Sequence, residues 1–472
     1  MFTSLYFIIK LFIYYKMNHH ITILCDYNYI HFSLALVYSL LEKSKEDFVI
    51  DFLCLDDETY EIIKTINYKV KAYRECDILK CKKLMWYKHN DKLNYFYTLA
   101  SYFSNFIMKT IDCKSVMYID SDILFHKDVY YLYNAFGEKD VGIFRHRFTG
   151  NKDFCGEFNV GVVYFKNSQK GRQVLEWWAY SVLYKKYSEL GLDSCGDQKY
   201  LNMFPRLLNE NELFIDGNIG HGAPWNWVDT DLTNVDKYLI KYKNSEQVLV
   251  FTHFSKFMYD FLKDTYDEKY LGYSTLTNNN SVFNHQSLKI LHNEYFFHLK
   301  NSNYIINNIK KDKIKLVAFI MLSDSDSYLH LHDCILTIYP FMEQIIIVIK
   351  NIENNLLEYI NKIEQINKYN KNTKIVILKE NYESYNSYIN KNLDYIWILN
   401  TKENYTIKNI IKILDELYDK SASFLNVQTG IGNPNNSKIY KFIEDMVIVT
   451  NNPILIQYPY EIQIITKNIF LD

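Results

Sequence analysis

The sequence lacks the signals of several large protein classes. Its formal net charge is only −2, so no basic excess indicates nucleic acid as a partner. Its eight cysteines are scattered, and they form neither a Cys-x-x-Cys pair nor a Cys/His cluster at zinc spacing. Cysteines distributed in this way favour reduced thiols in a cytoplasmic protein. We therefore expect no nucleic-acid partner and no structural zinc.

Long apolar runs are also missing. Residues 2–15 are mostly apolar, but Lys10 interrupts them and they fall short of the roughly 20 residues that a membrane-spanning helix needs. No small-residue cleavage site follows, so a secretory signal peptide is not expected. We expect no spanning segment, and we interpret residues 1–16 as an extension before Met17 or as a weak membrane-surface anchor.

Glycine and proline are scarce, with 14 Gly and 6 Pro, whereas tyrosine is abundant, with 43 residues. Together with the many Asn, Lys and Ile residues, this composition indicates an AT-rich genome, which is a mutational bias and carries no functional signal. The length of 472 residues is informative, because it suffices for two or three domains with full hydrophobic cores.

The most informative stretch is residues 116–125. Apolar residues occupy both faces of its first half, which is typical of a short buried strand. Asp120 and Asp122 end that strand, at the edge where open α/β sheets bind ligands. Two aspartates there can hold a hard divalent cation and leave positions for water and substrate phosphate. Because Asp-x-Asp recurs at residues 229–231 and 324–326, the position of the first pair, and not its spacing, predicts a metal–diphosphate site.

Alternating strand and helix patterns surround this stretch and predict an α/β fold. Residues 220–227 are rich in Gly, Pro and Trp and predict a loop. A buried strand then delivers His253 and Lys256 at its end, although a lone His after a strand is more often structural. The predicted strands cover residues 20–25, 48–54, 116–119, 141–145, 158–165, 213–215 and 248–257, and the predicted helices cover residues 32–43, 56–66, 95–111, 127–136, 170–187 and 198–207.

A second set of alternating elements occupies the C-terminal third of the chain. Polar turns and one predicted helix, residues 286–299, separate it from the first set. The predicted strands are residues 314–322, 344–349, 374–378, 395–399, 423–427 and 446–450, and the predicted helices are residues 328–338, 355–369 and 407–417.

Five ordered motifs carry a resemblance to a known family. MYIDSDILF, EFNVGVVYF, CGDQKYLN, GHGAPWNW and FTHFSKF occur in the order seen in GT-A-fold glycosyltransferases related to family 8, the group that includes glycogenin. The resemblance covers residues 20–258. It implies the GT-A nucleotide-diphospho-sugar transferase fold, with a mixed, mainly parallel sheet flanked by helices.

The C-terminal part resembles the nucleotide-binding half of family 2 glycosyltransferases. Those enzymes place aspartates after a strand such as residues 395–399, where this chain has Asn400 and Lys402. An amide and an ammonium cannot replace two metal-binding carboxylates, so we expect a second, smaller and degenerate GT-A-like domain. The expected organisation is an extension (1–16), a GT-A domain (17–262), a helical connector (263–312) and the degenerate domain (313–472).

The family resemblance also implies roles for individual residues. Asp120, Asp122 and His253 would bind Mn²⁺ or Mg²⁺, and a nitrogen ligand favours Mn²⁺. Asp197 and Gln198 would be catalytic, beside the anomeric carbon and the acceptor. The nucleotide and donor would contact Asp26, Tyr27, Asp120, Ser121 and Lys256, and the sugar and acceptor would contact Asn159, Gly161, His221 and Trp225.

Two departures from the family pattern bear on these roles. Family 8 members usually continue from the ligating histidine as His-x-x-Gly-x-x-Lys-Pro-Trp, whereas His253 is followed by Phe-Ser-Lys-Phe, which weakens the case for phosphate binding by Lys256. Many members also carry an Arg on the helix before the Asp-x-Asp strand, and residues 95–111 contain none, which leaves the donor open. Asp197 has an alternative interpretation as the cap of the helix that follows it.

These inferences predict a metal-dependent, hexosyltransferase-like glycosyltransferase that uses a nucleotide-diphosphate sugar, with UDP as the expected nucleotide. Its acceptor would be a glycan, a protein or a small molecule. The alternative is a non-catalytic sugar- or protein-binding module that has kept the fold, although retention of Asp120, Asp122 and Asp197 argues against it. A second enzymatic alternative is a nucleotidyltransferase, which would need a Gly-rich, basic loop after the first strand. Residues 26–39 contain no Gly, Lys or Arg, which argues against this alternative.

Overall fold

The protein is described here by a computed structural model, in which the chain forms two compact units. One comprises Met1–Ile63 with Lys71–Ser302, and the other comprises Lys64–Val70 with Asn303–Asp472. The structure describes residues 19–44, 48–78, 80–148, 156–185, 189, 196–227, 230–257, 259–260, 265–266, 286–309, 316–322, 328–349, 354–370, 374–379, 395–399, 410, 413, 424–429, 438–441, 447–449, 455–457 and 466–471. Within these residues, no helix is both long and apolar enough to cross a membrane.

The first unit alternates strands and helices, as the sequence patterns predict. Short 3₁₀ helices lie at Tyr27–Tyr29 and Gln198–Met203. The described elements from residue 19 to residue 309 are β1 (His19–Cys25), α1 (Ile30–Lys43), β2 (Phe48–Cys54), α2 (Asp57–Ile63), β3 (Val70–Arg74), α3 (Glu75–Ile78), α4 (Lys82–Asn90), α5 (Lys92–Thr110), β4 (Ser115–Ile119), β5 (Ile123–Phe125), α6 (Tyr130–Phe136), β6 (Val141–Arg145), β7 (Phe158–Lys166), α7 (Gln169–Tyr184), α8 (Phe204–Leu207), β8 (Leu213–Ile215), β9 (Ile219–Gly222), β10 (Thr230–Asn234), β11 (Leu239–Tyr242), β12 (Ser245–His253), β13 (Tyr259–Asp260), β14 (Thr265–Tyr266) and α9 (Gln286–Ile309).

A seven-stranded sheet in the order β3-β2-β1-β4-β7-β6-β8 forms the centre of the first unit. The pairs β1–β2, β1–β4 and β6–β8 are parallel, whereas β7 runs antiparallel to β4 and β6. Every residue of β2 and of β4 is buried, because helices cover this sheet and apolar side chains fill both faces. The predicted fold class, a mixed and mainly parallel sheet flanked by helices, is confirmed.

The apolar run after Asp122 leaves this sheet and enters another. Strand β5 pairs antiparallel with β12, in a sheet of order β10-β11-β12-β5 to which β9 adds by pairing with β12. The register sets Ile123 opposite His253, and the backbone N–H of Phe254 donates to the carbonyl of Asp122 at 2.7 Å. This pairing joins two segments about 130 residues apart and determines the position of the candidate site.

The predicted loop over residues 220–227 is partly wrong, because Ile219–Gly222 forms the strand β9. Its glycines permit close packing between neighbours. A Cβ at Gly220 would lie 2.6 Å from the carbonyl oxygen of Val248, and one at Gly222 would lie 2.1 Å from the ring of Trp227. The glycine content of residues 220–222 indicated a loop when it was interpreted from composition alone. In the structure these glycines belong to a strand and allow neighbouring chain segments to approach closely.

Helix α9 is longer than predicted, extending from Gln286 to Ile309. It belongs to the core of the first unit as far as Ser302, although the sequence placed it in a connector. Leu288, Leu291 and Tyr295 pack in the same apolar cluster as Leu124 of β5. The helix therefore supports the sheet that carries His253.

The second unit also alternates strands and helices. The residues 324–326, 400–403 and most of 407–417 lie outside the described part. The described elements are β15 (Leu316–Leu322), α10 (Tyr328–Ile338), β16 (Gln344–Ile349), α11 (Asn354–Tyr369), β17 (Ile375–Lys379), β18 (Tyr395–Leu399), β19 (Phe424–Thr429), β20 (Lys438–Lys441), β21 (Val447–Val449), β22 (Leu455–Gln457) and β23 (Thr466–Leu471).

These strands include another seven-stranded sheet, of order β17-β16-β15-β18-β20-β19-β23. Along this order the first three pairings are parallel, the next two are antiparallel, and the last, between β19 and β23, is parallel. The pairings described for the first sheet follow the same pattern.

Candidate metal centre and cleft

Three side chains converge at the carboxyl edge of the first sheet, two from the turn after β4 and one from the end of β12. We call Asp120, Asp122 and His253 the Asp-Asp-His triad. The Nε2 atom of His253 lies 2.9 Å from Oδ1 of Asp122 and 3.9 Å from Oδ2 of Asp120. One potential ligand atom from each residue lies within 4.8 Å of the other two. Among the described residues, this is the group of three that can hold a metal ion.

The triad has the right chemistry for a divalent cation. Two carboxylates supply hard oxygen ligands, and the imidazole supplies a borderline nitrogen, a set that suits Mn²⁺ and, less well, Mg²⁺. The ligands are also held from outside, as metal ligands usually are. The hydroxyl of Tyr118 donates to Oδ1 of Asp120 at 2.7 Å, and Nδ1 of His253 lies 3.2 Å from Oδ1 of Asn159. The residues present therefore fit such an ion.

The electrostatics of the triad favour a positive charge at its centre. Burial opposes ionisation of Asp122, but the charge and hydrogen bond of His253 outweigh it and lower the pKa of this carboxyl. Burial likewise disfavours the imidazolium form of His253, yet the charges of Asp122 and Asp120 raise its pKa. A ligated imidazole must be neutral, so a bound cation takes the place of the imidazolium charge.

The triad lies in a cleft of about 710 Å³, a volume typical of small-molecule sites. Residues at the ends of β1, β4, β6, β7 and β12 contribute to its walls. The residues that line it are Leu24, Cys25, Asp26, Tyr29, Leu55, Phe96, Tyr118, Asp120, Ser121, Asp122, His146, Phe148, Asn159, Gln198, Trp225, His253, Ser255 and Lys256.

Nine of the predicted site residues line this cleft: eight come from the five motifs, and Asp26 follows β1. The hydroxyl of Ser121 donates to the carbonyl of Leu24, which joins the Asp-x-Asp turn to the end of β1. Lys256 is exposed and has a left-handed backbone, with φ of 62°. The nine are Asp26, Asp120, Ser121, Asp122, Asn159, Gln198, Trp225, His253 and Lys256.

Three other predicted residues are not among those that line the cleft. Tyr27 donates its backbone N–H to Asp56, and Tyr29 contacts the cleft instead. Gly161 contributes space, because a Cβ there would lie 2.6 Å from Oδ1 of Asn159 and 2.8 Å from Nδ1 of His253. His221 is buried on β9, where its ring stacks on Phe251, so the cleft lining does not support the predicted contact with sugar.

Asp197 is also not among the lining residues, and its interpretation as a helix cap is wrong. The predicted helix is a 3₁₀ helix followed by the short α8, and the side chain of Asp197 makes no capping hydrogen bond. The residue is 6% exposed. Burial raises the pKa of its carboxyl to about 8, and the charge of Asp120 acts in the same direction. At neutral pH and without a bound cation, Asp197 is therefore a neutral acid.

Sequence reasoning predicted Trp225 but missed His146 and Phe148, which form an aromatic wall of the cleft together with it. The rings of His146 and Phe148 stack at 4.4 Å, and Trp225 meets His146 edge-on at 5.4 Å. Burial lowers the pKa of His146 to about 4, so its ring is neutral at physiological pH. The available signal in the sequence was the spacing of two between ring-bearing residues 144, 146 and 148, although β6 itself ends at Arg145 and Arg147 has a left-handed backbone, with φ of 57°.

Comparison with known proteins finds remote relatives. No family model matches the chain. The chain is 24% identical over 238 residues to the "Uncharacterized protein YfnF" of Bacillus subtilis strain 168, a match that covers 48% of this chain and 77% of that protein. It is 23% identical over 253 residues to the "Uncharacterized protein YfnD" of the same strain, covering 50% of this chain and 78% of that protein.

The similar solved structures include glycosyltransferases. The apo form of the glycosyltransferase GlyE of Streptococcus pneumoniae is 14% identical, covers 78% of this chain and 81% of its own, and superposes with a TM-score of 0.37. The galactosyltransferase LgtC, in complex with donor and acceptor sugar analogues, is 14% identical, covers 50% of this chain and 87% of its own, and has a TM-score of 0.36. At these values the similarity assigns no reaction to the present chain.

Proposed function

We propose that the protein is a metal-dependent glycosyltransferase that takes a sugar from a nucleotide-diphosphate sugar, with UDP as the nucleotide and Mn²⁺ as the preferred cation. The observation that carries this proposal is the Asp-Asp-His triad inside the cleft at the carboxyl edge of the sheet. Ligands of open α/β sheets bind at this edge, and a carboxylate-rich cation site there suits a diphosphate.

The triad would hold the cation through its two carboxylates and the Nε2 atom of His253. Bound there, the cation would supply Lewis-acid neutralisation of the charge that develops on the departing diphosphate. Around this centre the cleft offers two regions. Asp26 and Tyr29 follow β1 and form the nucleoside side, whereas Asn159, Gln198 and the aromatic wall form the sugar side.

The sugar side combines hydrogen-bonding groups with flat apolar faces, which is the combination that saccharides require. Asn159 and Gln198 are bonded to each other at 3.1 Å and present amides to the cleft. Trp225 provides a ring face against which the carbon–hydrogen side of a sugar can pack. The acceptor enters from this side, and it is a glycan, a protein or a small molecule.

The test is calorimetric titration of UDP in the presence and absence of Mn²⁺, followed by nucleotide-sugar hydrolysis. Asp120→Asn and Asp122→Asn are expected to abolish Mn²⁺-dependent UDP binding while the protein keeps its circular dichroism spectrum. Asp231→Asn is the matched control, since Asp231 belongs to another Asp-x-Asp pair and is exposed on β10. UDP affinity that is indifferent to Mn²⁺ would contradict the metal site, and UDP binding without any hydrolysis or transfer would favour a binding module.

A further inference from the structure

We infer that Asn159 is the positioning residue that sets the tautomer of His253, with Nδ1 protonated and Nε2 free to bind a cation. This inference rests on the proposed cation site and adds a role that sugar contact does not require. It follows from a hydrogen-bond network in which two backbone N–H groups fix the orientation of every side chain.

The first fixed point is the side-chain amide of Asn159. The backbone N–H of Gly161 points at its Oδ1 atom at 2.8 Å, and a backbone N–H can only donate. The atom beside Gly161 is therefore the amide oxygen and not the nitrogen. The same oxygen lies 3.2 Å from Nδ1 of His253, and an amide oxygen can only accept. Nδ1 must therefore carry a proton. On the other side of the ring, Nε2 faces Oδ1 of Asp122 at 2.9 Å and shares a proton with that carboxylate when no cation is bound. A bound cation takes the place of this proton and uses the lone pair of Nε2.

The second fixed point confirms this orientation from the other end of the amide. The backbone N–H of Val160 donates to Oε1 of Gln198 at 3.3 Å, so that atom is an acceptor. The Nδ2 atom of Asn159 donates to the same oxygen at 3.1 Å. The second hydrogen of this Nδ2 atom points at Nε2 of His146, at an N–N distance of 3.3 Å. Nδ1 of His146 lies 3.0 Å from the carbonyl oxygen of Gly156 and must donate to it, so Nε2 of the neutral ring is the acceptor. All four side-chain orientations agree.

The network also couples His253 to the Asp-x-Asp turn. The carbonyl of Gly161 accepts the backbone N–H of Asp120 at 2.9 Å, while its own N–H holds Asn159. Gly161 makes this possible, since a Cβ would displace both Asn159 and His253. The backbone that holds the first carboxylate ligand thus also holds the residue that orients the nitrogen ligand. Outer-sphere partners of ligating histidines commonly act in this way.

The tautomer can be measured directly by ¹⁵N NMR of the imidazole groups in histidine-labelled protein saturated with Zn²⁺, a diamagnetic cation that binds imidazole nitrogen and displaces the proton that Nε2 shares with Asp122. A His253→Gln sample assigns the signals. The wild-type protein is expected to show protonated Nδ1 and unprotonated Nε2. Protonated Nε2 in the wild type would overturn the inference without any variant.

Two variants of Asn159 separate the acceptor from the rest of the side chain. Asn159→Leu removes the acceptor at similar volume, so the Nδ1 proton loses its partner and the Mn²⁺ dissociation constant, measured by calorimetry, should rise about 10- to 100-fold. Asn159→Asp keeps the acceptor and loses the donors to Gln198 and His146, so the tautomer and Mn²⁺ affinity should be retained. If Asn159→Leu fails to fold, the Mn²⁺ affinity of Asn159→Asp and the ¹⁵N spectrum of the wild-type protein still test the role of Asn159.

Asn167→Leu is the matched control, because Asn167 follows the opposite end of β7 and bonds the carbonyl of Cys113. It should change neither readout. Unchanged Mn²⁺ affinity in Asn159→Leu would overturn the role of Asn159 but leave the proposed cation site standing. A wild-type protein that binds no Mn²⁺ would overturn both the cation site and the role of Asn159. None of these measurements uses a nucleotide or a sugar, so failure to transfer sugar leaves their outcome intact.

Discussion

At the scale of single residues, Asp197 shows how burial determines chemistry. A carboxyl with its pKa raised to about 8 is neutral at neutral pH instead of carrying a charge. Part of that shift comes from Asp120, whose charge a cation in the triad would offset. Cation binding is therefore expected to lower the pKa of Asp197 and to make the ionised form accessible when the site is loaded.

Asp197→Asn separates the stability of this residue from its function. Because the folded state holds the Asp197 proton more tightly than the unfolded chain, wild-type stability should fall as pH rises between about 4 and about 8. The Asn variant lacks this loss, so its melting temperature should exceed that of the wild type, most clearly near pH 8. Turnover should nevertheless fall about 10²-fold, the scale of one lost electrostatic contact.

Thermal scans across this pH range and nucleotide-sugar hydrolysis check both parts of that prediction. An Asn variant with full turnover would restrict Asp197 to a structural role. A melting difference that does not grow with pH would show that the carboxyl is already ionised in the folded protein.

At the scale of elements, a hydrogen-bond network around Glu294 joins α9 to the strands of the site. Nδ1 of His126 lies 3.0 Å from Glu294, and Nε2 lies 2.9 Å from the hydroxyl of Thr252, the neighbour of His253. The hydroxyl of Tyr238 donates to the other oxygen of Glu294 at 3.0 Å. Burial opposes its ionisation, but the hydrogen bond and charge of His126 outweigh it, and the pKa of Glu294 is lowered to about 2.

Glu294→Gln tests this tie through pH. Since the folded pKa of Glu294 is below its ordinary value of 4.5, its contribution to stability is complete above about pH 4.5 and is lost as pH falls towards about 2. Wild-type stability in urea should therefore decrease over that interval, and the Gln variant should start lower and decrease less. Parallel pH curves for the two proteins would contradict the predicted contribution. Lys362→Gln, at an exposed helical pair in the second unit, is the control.

At the scale of the whole molecule, the two sheets have the same strand order and, where both pairings are described, the same directions. β18 is the fourth strand of its sheet, as β4 is of the first sheet, and Asp120 directly follows β4. The residues after β18 are Asn400 and Lys402, where the first unit has carboxylates. We therefore expect the second unit to bind no catalytic cation.

The expected stoichiometry is one Mn²⁺ per chain by calorimetry and by elemental analysis after gel filtration. Asp120→Asn should reduce it to zero. A tightly bound equivalent that survives this substitution would place a second cation site elsewhere and would contradict the degenerate assignment of the second unit.

Much of the architecture was accessible from local patterns. The apolar run before Asp120 and the mostly apolar runs at β1 and β2 are typical of short buried strands, since a strand exposed on one face would alternate. The boundaries of α10, β16 and β18 agree with the predicted ones. The carboxylates after β4 were visible for the same reason, because they interrupt an apolar run at the end of a predicted strand.

What the local patterns left undecided depends on segments distant in sequence. The departure of β5 to pair with β12 puts His253 beside Asp122, and no spacing rule encodes a contact over about 130 residues. The glycines of β9 resembled a loop because their partners, Val248 and Trp227, are brought there by folding. The protonation of Asp197 and the tautomer of His253 are tertiary in the same sense, since burial and hydrogen-bond partners from other strands determine them.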